Sequence, residues 1–153
     1  MILNRQRDVR VAQRPLAQFL SRVQRELGIV EADVTICLVS DAEIARMNQA
    51  FRGKKGPTDV LSFPAEERRA PVSRARLRRQ RRGSRSRESF LGDVAIAPAT
   101  ARRNAKKLGR ALASELRILI LHGVLHLLGY DHETDHGEMD RAEKGFRRRL
   151  GLA

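Results

Sequence analysis

One cysteine, Cys37, is all that this sequence of 153 residues contains, so an intramolecular disulfide and a cysteine-built metal knuckle are both excluded. A reducing cytoplasm suits that usage, and Cys37, set in the apolar stretch Val34 to Val39, reads as a small core residue. Nowhere does the sequence approach the ~18 uninterrupted apolar residues that a membrane-spanning helix needs. Its first residues lack the apolar run of a secretory signal, and Asp8 with the scarcity of serine there argues against a transit peptide. The expectation is a soluble protein that is not exported. Acidic residues are also in short supply: 18 Asp+Glu face 31 Lys+Arg, leaving a formal net charge of +13. No internal repeat is apparent.

The length suits one domain with one core, and 41% apolar residues suit a globular one. The excess of positive charge bears on partners rather than on fold. Lys and Arg that neutralise phosphates release condensed counterions, so RNA, DNA and anionic membranes are the natural partners of such a surface.

Ile2-Leu3 begins a short strand. Leu16, Phe19, Leu20, Val23 and Leu27 recur at helical spacing until Gly28 offers a stop. Val34 to Val39 reads as a strand, followed by Ser40-Asp41 as the cap of a helix carrying Ile44, Met47 and Phe51 and ending before Gly53. Val60 to Phe63, closed by Pro64, and Leu91 to Ile96, closed by Pro98, read as two more strands. A helix from Ala99 to Leu108 ends near Gly109. Residues 111–128 are apolar almost all the way round, the mark of a buried helix. Asp135 is placed to cap a last helix reaching Leu150, with Met139, Ala142 and Phe146 inward.

Between the last two strands lies a segment of different character. From Glu66 to Glu88 there are ten arginines and three glutamates, a net +7. Like charges at this density repel and offer little to bury, so residues 66–90 read as a flexible insertion within the single domain 1–153. It is either a basic arm that grips phosphates or a solvated, tolerated loop.

His122 and His126 are four residues apart, which on a helix sets them one turn apart on one face with rings able to converge on one ion. Gly129 can turn the chain back, and His132 then supplies a third imidazole. All four histidines of the protein fall between positions 122 and 136. Three protein ligands with an open position are typical of catalytic zinc, whereas structural zinc usually has four. Three neutral imidazoles leave the ion's +2 charge in place, which favours an anionic, phosphate-bearing substrate. Zinc is expected, one ion per chain, although imidazole also suits nickel, copper and iron. His136 reads as a surface residue. Glu115, two turns before His122, either supports a ligand from behind or takes an ordinary surface or capping role.

The run His122-Gly123-Val124-Leu125-His126-Leu127-Leu128-Gly129-Tyr130-Asp131-His132 resembles the metzincin protease spacing, except that Gly123 stands where the catalytic glutamate belongs. Glycine carries no general base, so peptide cleavage is not expected. The same run more closely resembles the signature of the bacterial YbeY endoribonuclease family. Met47 to Gly53, Pro57 to Pro64 and Leu91 to Val94 are similar to that family's other blocks, in its order. The resemblance implies an α+β domain with a small mixed sheet against helices, and a zinc held by His122, His126 and His132. It implies endonuclease activity on single-stranded RNA, with roles in maturing the 3′ end of small-subunit ribosomal RNA and in ribosome quality control. The family's functional arginine falls on Arg52. Before the Gly-Lys-Lys-Gly turn, a guanidinium there can clamp a phosphate bidentately. Residues 66–90 are longer and more basic than the family leads one to expect.

Two other readings stay in play. One is a ribosome-assembly factor that binds RNA through charge and keeps zinc as a structural ion. The other is a hydrolase of a small phosphorylated substrate. Whether the attacking group is an activated water or the substrate's own 2′-OH is open at this level.

Overall fold

A computed structural model describes residues 1–65, 90–131 and 135–152. The elements run β1 (Ile2–Asn4), α1 (Gln13–Leu27), β2 (Asp33–Leu38), α2 (Asp41–Arg52), β3 (Val60–Pro64), β4 (Phe90–Ile96), α3 (Pro98–Leu108), α4 (Leu112–Leu127) and α5 (Glu138–Arg149). The strands form one sheet in the order β1-β2-β4-β3. β1 and β4 both pair with β2 in parallel, while β3 pairs with β4 antiparallel, from Val60 opposite Ile96 to Pro64 opposite Gly92. This is the expected α+β fold with a mixed sheet. Parallel neighbours need a crossover, and α1 supplies the one from β1 to β2. The extended strands and α2 and α4 fall where the apolar periodicity places them.

Local chemistry sets the ends. Leu16, Phe19, Leu20, Val23 and Leu27 are buried along α1, and Gly28, at φ 69°, ends the helix. Ser40 caps α2 by accepting from the Glu43 backbone N–H at 3.2 Å. Pro98, expected as the end of β4, is also the first residue of α3, where its missing N–H costs nothing. Phe90, counted with the insertion, is the first residue of β4. Residues 66–89 lie outside the described residues. The Ala65 N–H donates to the Leu91 carbonyl at 3.1 Å, so the chain leaves and re-enters the sheet at neighbouring positions.

The two faces of the sheet are packed differently. Val34, Ile36, Leu38, Val94 and Ile96 point to one face, where they meet Phe19 and Val23 of α1, Leu121, Val124 and Leu125 of α4, and Met139 of α5. On the other face Leu61 and Ala95 meet Ile44 of α2, with Val39 and Ala97 nearby and Cys37, Met47 and Phe63 partly buried around them. Alternation along the strands produces this division. Cys37 is half-buried; burial foremost and then the Asp93 charge push its thiol pKa up, so it stays a protonated packing residue.

Two side chains depart from expectation. Phe51, read as part of the apolar stripe of α2, is 72% exposed. Glu115, read most simply as a surface or capping residue, is only 4% exposed and accepts an ion pair from Arg110 Nη1 at 2.8 Å. Burial of that carboxylate requires such a partner, and Arg110, just before α4, folds back to provide it.

Candidate metal centre

α4 carries the histidines and sits at the middle of the fold, in contact with α1, α3, α5, β3 and β4. At Gly123 it approaches the sheet so closely that an added Cβ would lie 2.5 Å from Val94 Cγ1. The glutamate of the protease pattern therefore has no room here. β3 fastens the same point from the sheet's edge: Ser62 Oγ donates to the Gly123 carbonyl at 2.9 Å. The helix carrying His122 is thus fixed at the residue next to it.

The end of α4 is equally defined. Tyr130 N–H donates to the Leu125 carbonyl at 3.2 Å and Gly129 N–H to the His126 carbonyl at 3.0 Å. That pair of bonds is a Schellman motif, with Gly129 at φ 99° in the position that favours glycine. It turns the chain away from the helix axis just after His126, as its placement in the sequence leads one to expect. Beyond it, Asp135 accepts from Gly137 N–H at 2.9 Å and from Met139 N–H at 2.8 Å. The expected cap of α5 is present, acting from two residues before the helix-boundary residue Gly137.

His122 and His126 do converge. Their Nε2 atoms are 3.1 Å apart, with ring centroids at 4.7 Å and planes at 66°. Two nitrogens bound to one tetrahedral zinc at ~2.0–2.1 Å are separated by roughly 3.3 Å, so the donor pair fits a shared ion. On its other side His122 Nδ1 lies 3.1 Å from Glu143 Oε1 of α5. A carboxylate only accepts, so that contact assigns the ring proton to Nδ1 and leaves the Nε2 lone pair facing His126. A carboxylate behind a metal-binding imidazole fixes its tautomer and raises its basicity. The sequence reading missed Glu143; its signal is its place one turn after the buried Met139.

The third expected ligand, His132, lies outside the described residues, and among the described residues no group of three ligating side chains gathers around one point. His136 is exposed, as expected of a surface residue, and its backbone N–H donates to Glu138 Oε2 at 2.6 Å. Glu115 is committed to Arg110. Arg52 is the last residue of α2 and is exposed. α2 packs on the sheet face opposite α4, so the edge strand β3 stands between the two helices: Phe63 turns toward α2 and Ser62 toward α4. A depression of about 480 Å³ on α1, lined by Gln18, Arg22, Arg25 and Val30 among others, contains neither a histidine nor a carboxylate. No helix among the described residues is long and apolar enough to cross a membrane.

Comparison with known proteins places the chain in a family. The family model described as Endoribonuclease YbeY matches residues 1–151. A protein named Endoribonuclease YbeY from Koribacter versatilis is 38% identical over 99% of this chain and 86% of its own length. Its namesake from Moorella thermoacetica is 40% identical over 91% of this chain and 87% of its own length. The solution structure of TM1509 from Thermotoga maritima, 28% identical, superposes with a TM-score of 0.62 over 98% of this chain and 89% of that one. A family match over residues 1–151 and identity of 38–40% along nearly the whole length agree: this chain belongs to the endoribonuclease YbeY family.

Proposed function

We propose that this chain is a zinc-dependent endoribonuclease of the cytoplasm that cuts single-stranded RNA, its substrate being the 3′ region of small-subunit ribosomal RNA and its wider role ribosome quality control. One observation carries the reading: two imidazoles with Nε2 atoms 3.1 Å apart, one of them backed by Glu143, on a helix locked into the core. Family membership and the net charge of +13 support RNA as the substrate. His122, His126 and His132 would hold the zinc. An ion so held supplies Lewis acidity toward a phosphoryl oxygen.

The chain's own residues do the rest. Glu143 keeps the His122 ring in the tautomer that presents Nε2. Arg52, exposed at the end of α2, donates to phosphate oxygens and stabilises the extra negative charge of the transition state. Gly123 leaves no side chain there to act as a base, and its approach to Val94 keeps the helix against the sheet.

The test is the metal content of the purified protein and its His126→Ala variant, paired with cleavage of a labelled single-stranded RNA. One ion per wild-type chain with cleavage abolished in the variant is the expected result. Bound metal with the same cleavage trace from both proteins overturns the reading and leaves an RNA-binding assembly factor with a structural ion. Arg52→Ala should slow cleavage while the ion stays bound. Products ending in a 2′,3′-cyclic phosphate identify the substrate's 2′-OH as the attacking group.

A further inference from the structure

We infer that Phe51, backed by Phe63 and flanked by Arg52, Lys54 and Lys55, is a platform on which an unpaired base of the RNA stacks. The inference rests on the RNA reading above and adds a recognition site separate from the histidines. Among the described residues Phe51 is the most exposed of the large hydrophobic side chains, at 72%. A singly exposed apolar residue is ordinary; this one is held. Its ring meets Phe63 edge to face, centroids 4.5 Å apart and planes at 69°, while most of its surface stays open to solvent.

The surroundings select the occupant. From Ala45 to Thr58 the sequence contains no acidic residue, whereas Arg52, Lys54 and Lys55 follow Phe51 directly and are exposed. Buried Asn48, one turn before Arg52, holds this basic turn against the helix end. Its Nδ2 donates to the Gly56 carbonyl at 3.0 Å, and its backbone carbonyl accepts from the Lys54 N–H at 3.4 Å. Among the described residues nothing donates to the buried Asn48 Oδ1. An exposed aromatic ring followed in the chain by three exposed cations is a poor seat for an apolar protein anchor and a good one for a base whose phosphates lie alongside. A duplex offers no base face, so the strand must be single. The location suits the proposed chemistry: Phe63 and Ser62 are consecutive residues of the edge strand β3, one supporting the platform and the other bonded to Gly123 beside His122. A strand crossing that edge touches both.

The experiment is binding of a 2′-O-methyl oligoadenylate carrying one 2-aminopurine to the full-length protein, followed by anisotropy and by quenching of the aminopurine. A matching strand of abasic sugar-phosphate is the control, and a gel checks that the oligonucleotides stay intact. Phe51→Ala is expected to weaken binding about 5- to 150-fold and to lose quenching, the effect of removing one stacked base. The slope of affinity against salt stays unchanged, since no phosphate contact is lost. Phe51→Trp restores both signals, and the abasic strand binds wild type and Phe51→Ala alike. Equal oligoadenylate binding by wild type and Phe51→Ala overturns the platform, as does an equal loss on the abasic strand. If the wild type cuts RNA yet either overturning result appears, the platform alone fails. If it cuts nothing yet shows the expected pattern, the platform stands and the nuclease reading fails.

Discussion

The two faces of the sheet differ in depth. One is covered by α1, α4 and α5, with Val34, Ile36, Val94 and Ile96 buried beneath them; the other, among the described residues, is covered at its edge by α2, whose apolar stripe ends in an exposed phenylalanine. A metal centre needs its donors held within tenths of an ångström, which a deeply packed helix provides. A surface that takes hold of a flexible strand needs open area, which the thinly covered face provides.

The largest effect that would test this contrast is on stability. Leu121→Ala, fully buried in α4, is expected to cost about 2–5 kcal/mol in denaturant unfolding. Phe51→Ala, which loses one edge-to-face contact, is expected to cost about 1 kcal/mol or less. Comparable losses would mean that the thin face is packed as firmly as the thick one.

Next comes the close approach of α4 to β4. Gly123→Ala is expected to destabilise the fold by about 1–3 kcal/mol through overpacking against Val94. The Gly123→Ala/Val94→Ala double variant should be more stable than the two single losses added together, because the second change removes the atoms that the first one strikes. Strict additivity would remove Val94 as the cause.

A third test separates the histidine pair from its support. Glu143→Ala is expected to weaken zinc binding about 10- to 100-fold, read by competition with a chromophoric chelator. His126→Ala should weaken it further. Unchanged affinity in Glu143→Ala would reduce the Glu143 contact to an ordinary surface pair.

The smallest effect concerns α2 on the thin face. Partial burial pushes the Asp41 carboxyl upward, but hydrogen bonds from Thr100 Oγ1 and Arg103 Nη2, both at 2.7 Å, together with the Arg103 charge outweigh it and hold the pKa below its ordinary value. A lowered folded-state pKa gives stability that is present above the unfolded value, near 3.8, and lost as the pH falls toward the folded one. Arg103→Ala should therefore cost about 1 kcal/mol or less at neutral pH and leave less to lose on acidification. Urea midpoints at about pH 7 and about pH 3 measure this difference. Parallel pH curves for the two proteins would show that Arg103 does not set the Asp41 titration.

Much of this was legible beforehand. Ser40, Gly28 and Gly109 mark helix ends that the structure places within a residue or two, and the all-round apolar run 111–128 became α4. Four-residue spacing placed His122 and His126 together because the helix repeat alone settles it. Phe51 was misjudged for a reason that is not local. Ile44, Met47 and Phe51 share one helical stripe, but β3 is the edge of the sheet, so the last turn of α2 overhangs it and the Phe51 ring packs edge to face on Phe63 while staying largely exposed. Glu115 was misjudged because its burial depends on Arg110 folding back.

The sequence by itself determined where most elements begin and end and the four-residue spacing of His122 and His126, since caps, periodicity and turns act over a few residues; the mixed α+β class followed from the family resemblance. Only the tertiary structure decided that Glu143 stands behind His122, that Val94 excludes any side chain at Gly123, and that Phe51 faces solvent. Each of these depends on groups distant in sequence arriving at one place, and no short-range pattern encodes that.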